Sequence, residues 1–325
     1  MDLDVVFLGT SGSAPTAQRA PSATLLRRGG ERLLVDCGEG TQRQLLRSDV
    51  GLVELEEVFL THLHADHFLG LPGMLKTFAL RGREEPLTVY GPGGTRELVG
   101  SLRRVFGRLT FALEVAELRP GDVLDRGDGV LSVFAVDHGV SAVGYALVEH
   151  ERPGRFDVDA SDRLGVADGP LRGALQRGEA VTLPGGEVVL PEQVLGPARP
   201  GRKVVLAGDT APAASVVEAA TGADVLVHEA TFLADERERA RETRHSTAGE
   251  AALVAREAGV RFLALTHLSG RYGPAEVEAE ARAVFPTAVV PRDFDVVRVP
   301  FPERGEPELV ARGARRRRAG VGSET

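Results

Sequence analysis

The chain has 325 residues, 42% of them hydrophobic, with a formal net charge of -8 and a pI near 5.6; this is enough to bury a large core and argues against non-specific nucleic-acid binding by the whole surface, although a local basic patch can still recruit RNA. A single cysteine, Cys37, excludes an internal disulfide framework and any zinc site built of several thiolates, so a metal would have to sit on histidine and carboxylate. No apolar run approaches the roughly 18 residues that a membrane helix needs, and residues 1–8 lack the charged start and long apolar stretch of a signal peptide, so a cytoplasmic location is expected.

Along the chain, runs of Val, Leu, Ile or Phe predict strands over 4–8, 23–26, 32–35, 57–60, 87–90, 131–136, 142–148, 203–206, 223–227 and 261–265. Apolar residues at three- and four-residue spacing predict helices over 41–47, 95–106, 215–220, 247–258 and 275–284, and a further helix is expected to begin near Phe68. The pattern is mixed α and β without an internal repeat. Residues 151–202 are rich in Pro, Gly, Arg and Asp and read as a long irregular excursion from the domain. Residues 312–325, with the run Arg315-Arg316-Arg317-Arg318, are expected to be a disordered basic tail, which leaves 1–311 as the folded domain.

The strand expected over 57–60 leads into Thr61-His62-Leu63-His64-Ala65-Asp66-His67. In an extended loop the residues at i and i+2 project the same way, so His62 and His64 can share one ion while Asp66 and His67 turn toward a second. Imidazole suits zinc and similar metals, and a carboxylate adds a hard oxygen ligand. Four ligands do not complete two sites, and the rest are expected at other strand ends, where His138, Asp209 and His267 stand. The favoured sorting gives the first ion His62, His64, His138 and Asp209, and the second Asp66, His67, His267 and the bridging Asp209. The small pair Ala207-Gly208 lets backbone approach closely. Two ions so held suit a metal-dependent hydrolase and phosphoester chemistry. Any one histidine alone would be an ordinary surface or core residue, and Asp66 alone a helix cap; three histidines within six positions are not so explained.

The finer motifs are Phe7-Leu-Gly-Thr-Ser-Gly-Ser13, Val35-Asp-Cys-Gly-Glu-Gly-Thr-Gln-Arg-Gln44, Gly70-Leu-Pro-Gly73, Gly208-Asp-Thr210, His228-Glu-Ala-Thr231, His245-Ser-Thr247 and Leu265-Thr-His-Leu-Ser-Gly-Arg-Tyr272. With His-x-His-x-Asp-His, this succession resembles the metallo-β-lactamase superfamily, and more closely the tRNA 3′-end processing endonucleases called ribonuclease Z, from about residue 4 to about residue 300. The resemblance implies a four-layer αββα sandwich of α/β class with a protruding flexible arm, and two zinc ions per subunit without an organic cofactor. It also implies a homodimer that acts on precursor tRNA away from any membrane. The reaction so implied is endonucleolytic removal of the 3′ trailer, leaving a 3′-hydroxyl on the tRNA and a 5′-phosphate on the trailer.

The resemblance also gives Asp66 the part of proton acceptor beside its metal ligation, and places His245 near the scissile phosphate, where it could stabilise the developing charge or protonate the leaving 3′ oxygen. The structural alternative for His245 is capping of the helix from Thr247, which Ser246 could do equally well. His228 and Glu229 look like groups that orient the centre, and Arg271 like a phosphate ligand or a solvated surface group. Residues 151–202, with the pair Gly169-Pro170, match the position of the family's arm, and Arg152, Arg155, Arg163, Arg172 and Arg177 would either contact RNA phosphates or pair with Asp157, Asp159 and Asp162. One departure stands out: where relatives carry Pro-x-Lys-x-Arg-Asn, a loop that helps sense the mature CCA end, this chain has Ala17 and Ala20 between Pro15 and Pro21. Two other readings remain open on the same fold, a phosphodiesterase for a small or cyclic diester and a catalytically idle RNA-binding protein.

Overall fold

The computed structural model describes residues 1–52 and 55–312; the expected tail beyond Arg312 lies outside them. Six strands, β1 (Leu3–Gly9), β2 (Ala23–Arg28), β3 (Glu31–Val35), β4 (Glu57–Phe59), β5 (Leu87–Gly91) and β6 (Leu113–Glu117), form most of a first sheet. Helices α1 (Thr41–Arg47), α2 (Ala65–Phe68), α3 (Gly70–Leu80) and α4 (Thr95–Phe106) lie between them. The chain then builds a second sheet from β7 (Val123–Asp125), β8 (Gly129–Ala135) and β9 (Val143–Glu149), leaves it through α5 (Val158–Arg163), α6 (Pro170–Gln176), β10 (Val181–Thr182) and β11 (Val188–Val189), and returns with β12 (Lys203–Leu206), β13 (Val225–Glu229) and β14 (Leu263–Thr266). Around these last strands lie α7 (Ala214–Ala220), α8 (Arg237–Thr243), α9 (Ala248–Ala258) and α10 (Pro274–Arg282), before β15 (Val296–Arg298) and β16 (Glu308–Val310) rejoin the first sheet. The sheet orders are β16-β15-β1-β2-β3-β4-β5-β6 and β14-β13-β12-β9-β8-β7.

The layering follows from which face of each strand is apolar. β1 sends Val5 and Phe7 into the cluster between the sheets and Val6 and Leu8 into the cluster under the helices. Burial on both faces is why its sequence is a continuous apolar run rather than an alternation. The inter-sheet core adds Phe59, stacked on Tyr90 at 4.6 Å and edge-on to Tyr145 at 5.4 Å, with Leu147, Val204, Leu206 and Val227 from the second sheet. Outside the first sheet pack Leu45, Met74, Leu75 and Phe78; outside the second pack Val216, Ala252, Ala255 and Val277. The result is the expected four-layer αββα sandwich.

Strand polarity positions the site. β12, β13 and β14 run parallel, and β8 runs the same way through antiparallel β9, so the loops after β8, β12 and β14 all emerge at one edge. β4 brings its own loop to that edge: Val143 donates its N–H to the Thr61 carbonyl at 2.9 Å, and the Tyr145 hydroxyl donates to the Leu60 carbonyl at 2.7 Å.

The excursion at 151–202 is more ordered than its composition suggests. It carries two helices, a hairpin pairing Val181 with Val189, and an apolar cluster of its own in Val166, Leu175, Val181, Val189 and Val194. Its neck is a pair of antiparallel segments bridged at Arg152 to Arg199 and Phe156 to Leu195, so close that a Cβ at Gly154 would lie 1.9 Å from the Gly196 carbonyl oxygen. The neck is anchored on a buried ion pair, Arg202 to Glu149 at 2.6 Å, and it leaves β9 and enters β12 at the ends remote from Asp209. Arg312 departs from its assignment to the tail: its N–H donates to Asp295 and its guanidinium lies 4.3 Å from the Phe294 ring centre.

Candidate metal centre

All seven residues expected to hold metal meet at that edge. His62 Nε2 lies 3.0 Å from His64 Nδ1, and His138 Nε2 lies 3.1 Å from the same nitrogen, close to the about 3.4 Å between nitrogens that each sit about 2.0–2.1 Å from one tetrahedral ion. Asp66 Oδ2 lies 3.5 Å from His67 Nε2 and 3.2 Å from His267 Nε2. One oxygen of Asp209, Oδ2, faces both groups, at 3.8 Å from His62, 3.9 Å from His138, 3.4 Å from His67 and 3.2 Å from His267. A single carboxylate oxygen thus stands between the two groups. Gly208, at φ +67°, lets this turn pack onto Thr61, since a Cβ there would meet the Thr61 side chain at 2.9 Å.

The outer nitrogen of nearly every ring is held by protein, which turns the inner nitrogen's lone pair to the centre. His67 Nδ1 bonds to Asp36 at 2.7 Å. His62 Nδ1 meets the Thr61 hydroxyl at 3.1 Å, and that hydroxyl contacts Asp36 in turn. His138 Nδ1 donates to the Arg244 carbonyl at 3.1 Å, and His267 Nδ1 meets the Thr231 hydroxyl at 2.8 Å. The Ser13 N–H donates to Asp66 Oδ2 at 2.8 Å. Sequence reasoning missed Asp36, Thr61, Ser13 and Thr231 as parts of the centre, although all four fall within or beside the quoted motifs. Of the five non-glycine residues with positive φ among the described residues, Ser13, Asp36, Arg244 and His267 belong to this centre or hold its ligands. Each such backbone costs about 1–3 kcal/mol and persists where surroundings over-determine it, which is typical of sites under functional constraint.

The residues fit a divalent metal on their own chemistry. His67 Nε2 is buried without a hydrogen-bond partner among the described residues, an arrangement that is costly unless a cation completes it. Burial, then the neighbouring His67, holds His62 down at about 2, so its ring stays neutral and able to ligate. Burial would raise the carboxyls of Asp66 and Asp209, but the histidines around them outweigh it and hold both well below the usual carboxylate range. His67 moves the other way, raised against its burial because Asp209 and Asp36 flank it. The site is built to collect positive charge.

His245 stands beside this centre, its ring 4.8 Å from that of His138 and 5.4 Å from that of His267. Its Nδ1 bonds to Glu229 at 2.7 Å; burial opposes protonation, but Glu229 prevails and raises the ring to about 9. Neither His245 nor Ser246 caps the following helix. Thr247 does so, its hydroxyl accepting from the Glu250 N–H while the Glu250 carboxylate accepts from the Thr247 N–H, and Ser246 instead donates to the Thr210 carbonyl. Glu229 is buried and also accepts from the Thr210 N–H and the Thr231 hydroxyl, tying the loop after β12 to His245. His228 lies on the other face of β13 and reaches the centre only by its bond to the Glu229 carbonyl. Arg271 is engaged by Glu236 at 2.7 Å.

Residues 17–154 match the family model of the metallo-beta-lactamase superfamily. The chain is 45% identical over 303 residues to a ribonuclease Z of Methanosarcina acetivorans, covering 92% of this chain and 99% of that one. It is 50% identical over 283 residues to a ribonuclease Z of Myxococcus xanthus, covering 86% and 92%. Among solved structures, human tRNase Z, short form, superposes with a TM-score of 0.67 at 28% identity, covering 91% of this chain and 99% of that one.

Proposed function

The chain belongs to the ribonuclease Z family of the metallo-beta-lactamase superfamily, and from that membership and the geometry of its centre we propose that it is a zinc-dependent endoribonuclease that removes the 3′ trailer from precursor tRNA. The observation that carries the reading is the convergence of two ligand groups on one oxygen of Asp209. His62, His64 and His138 would hold one ion and Asp66, His67 and His267 the other, with Asp209 shared. When bound, such ions make water a nucleophile at neutral pH and neutralise charge on the phosphoryl oxygens.

The protein's own groups then manage the protons. Asp66 Oδ2 is occupied by the Ser13 N–H and faces His67 and His267, which leaves Oδ1 to accept the proton of the attacking water. As the water oxygen bonds to phosphorus, the bond from phosphorus to the 3′ oxygen breaks. His245, kept protonated by Glu229, gives that oxygen its proton. The products are a tRNA 3′-hydroxyl and a trailer 5′-phosphate, and the two side chains reset by exchange with solvent.

The folded excursion is proposed as the arm that grips the tRNA body. Of its arginines, Arg152 and Arg199 pair with Glu303, Arg172 with Asp162 and Asp168, Arg177 with Glu179, and Arg202 with Glu149. Arg155 and Arg163 are exposed and form no ion pair among the described residues, so phosphate contacts fall to them. Because the neck leaves the sandwich at the end away from the metals, such an arm is best placed for RNA lying across a second copy, in keeping with a homodimer. Replacing residues 157–194 by a short Gly-Ser linker should raise KM for precursor tRNA by about tenfold or more through lost phosphate contacts. Hydrolysis of bis-p-nitrophenyl phosphate should be unchanged. Unaltered kinetics on precursor tRNA would refute the arm.

A further inference from the structure

The excursion at 151–202 has its own apolar cluster, and every residue of that cluster, from Phe156 to Val194, comes from within the excursion. It shares no such core with the sandwich, which leaves the neck to set its direction. The neck is tightly packed: Gly154 and Gly201 each sit where a Cβ would meet opposing backbone, at 1.9 Å from the Gly196 oxygen and 2.3 Å from the Glu149 oxygen. Such close approach requires glycine, and glycine bends readily where nothing outside holds it.

The loop between β15 and β16, at the edge of the first sheet, supplies that hold by reaching the neck as it leaves the second sheet. Both oxygens of Glu303 accept from Arg152, on the outgoing segment, at 2.9 Å, and one also accepts from Arg199, on the returning segment, at 3.3 Å. The centre of the Phe301 ring lies 3.5 Å from the Arg152 guanidinium carbon and 4.1 Å from that of Arg202. Arg202 is buried and donates to the Val299 carbonyl at 3.0 Å. An exposed ion pair by itself holds weakly. Here one carboxylate ties both segments of the neck, and an aromatic face backs the same guanidinium.

We propose that Phe301 and Glu303 form a clamp that fixes the direction of the arm, and so act as positioning residues for precursor tRNA without touching it. The inference rests on the reading of the excursion as the arm that grips the tRNA body. If release of the clamp left the arm in its gripping direction about a tenth of the time, apparent affinity for the precursor would fall about tenfold while the metal centre kept its own rate. The sign of the effect is diagnostic. Loss of Glu303 removes a negative charge and frees two guanidiniums, which by electrostatics alone would tighten RNA binding; loss of the clamp weakens it.

The test is Glu303→Ala, alone and together with Phe301→Ala, assayed on precursor tRNA, on an acceptor-stem hairpin that keeps the trailer but lacks the tRNA body, and on bis-p-nitrophenyl phosphate. On the precursor KM should rise about tenfold for the double variant with kcat unchanged, and Glu303→Ala should move it in the same direction. KM on the hairpin and hydrolysis of the small diester should match the wild type. A lowered or unchanged KM on the precursor, or an equal rise on the hairpin, would overturn the clamp. Should the double variant lose diester hydrolysis through misfolding, the surface substitution Glu303→Ala decides. If the wild type released no trailer, or replacement of the arm left its kinetics unaltered, the proposed function or the arm would fail by itself. The clamp is then judged by the distance between spin labels at Glu187→Cys and Glu218→Cys, both exposed, in chains diluted with unlabelled protein; Cys37 is buried and takes no label. A distribution broadened by Phe301→Ala, Glu303→Ala supports the clamp, and an unchanged one refutes it.

Discussion

Asp66→Ala is expected to lower turnover of precursor tRNA by about 10²–10⁴-fold, the range for loss of a positioned proton acceptor, while affinity for the precursor stays within a few fold. Asp66 occupies the first turn of α2, beside His67, and touches RNA only through the reacting phosphate in the proposed mechanism. Six other proposed ligands remain around the centre, and His67 keeps its bond to Asp36. The same carboxylate also faces His267 at 3.2 Å, so two functions must be separated. Metal content per chain and precursor affinity, measured with turnover, do so. Retained metal with lost turnover assigns Asp66 to proton transfer; loss of metal and of affinity together would show that its part is to assemble the centre.

His245→Ala is expected to cost a similar 10²–10⁴-fold on precursor tRNA, but less than about tenfold on bis-p-nitrophenyl phosphate. A ribose 3′ oxygen is a poor leaving group that needs a proton as the bond breaks, whereas p-nitrophenolate leaves without one. The pairing with Glu229 that raises His245 to about 9 keeps the donor charged at neutral pH. An equal loss on both substrates would contradict the role of proton donor and mark His245 as a group that stabilises the phosphoryl charge or supports His138 and His267.

Much of this molecule is legible in its sequence wherever burial imposes a pattern. The spacing of Leu45, Val99 and Phe106 gives α1 and α4 their observed bounds, and the apolar run at 203–206 gives β12 its own. Strands β6, β7, β15 and β16 escaped notice because they are short, lie toward sheet edges or alternate with charge, as in Leu-Glu-Val-Ala-Glu at 113–117, and are defined by partners distant in sequence. The helix expected to begin near Phe68 is answered by α3, whose extent the Gly and Pro residues at 70, 72 and 73 obscured, and the elements of the excursion are too short for any period to show. Thr247 and Glu250 did carry a readable capping box, and Ser246 was weighed in its place.

The centre divides in the same way. The residues proposed as its ligands could be picked out because metal chemistry restricts such ligands to histidine and carboxylate at strand ends. Asp36 and Thr231 could not be assigned, because an acid or hydroxyl behind an imidazole distant in sequence is fixed by tertiary approach alone. Asp36 reaches His67 across 31 positions and Thr231 reaches His267 across 36.

The central claim is metal-dependent hydrolysis at a single bond of precursor tRNA. It is tested most directly by incubating an end-labelled precursor with protein stripped of metal by chelation, and again after zinc is restored, and mapping the cut and its end groups. The account predicts no cleavage without metal and, with zinc, one cut that leaves a 3′-hydroxyl on the tRNA and a 5′-phosphate on the trailer. Full activity after exhaustive chelation, or a 2′,3′-cyclic phosphate at the cut, would contradict it.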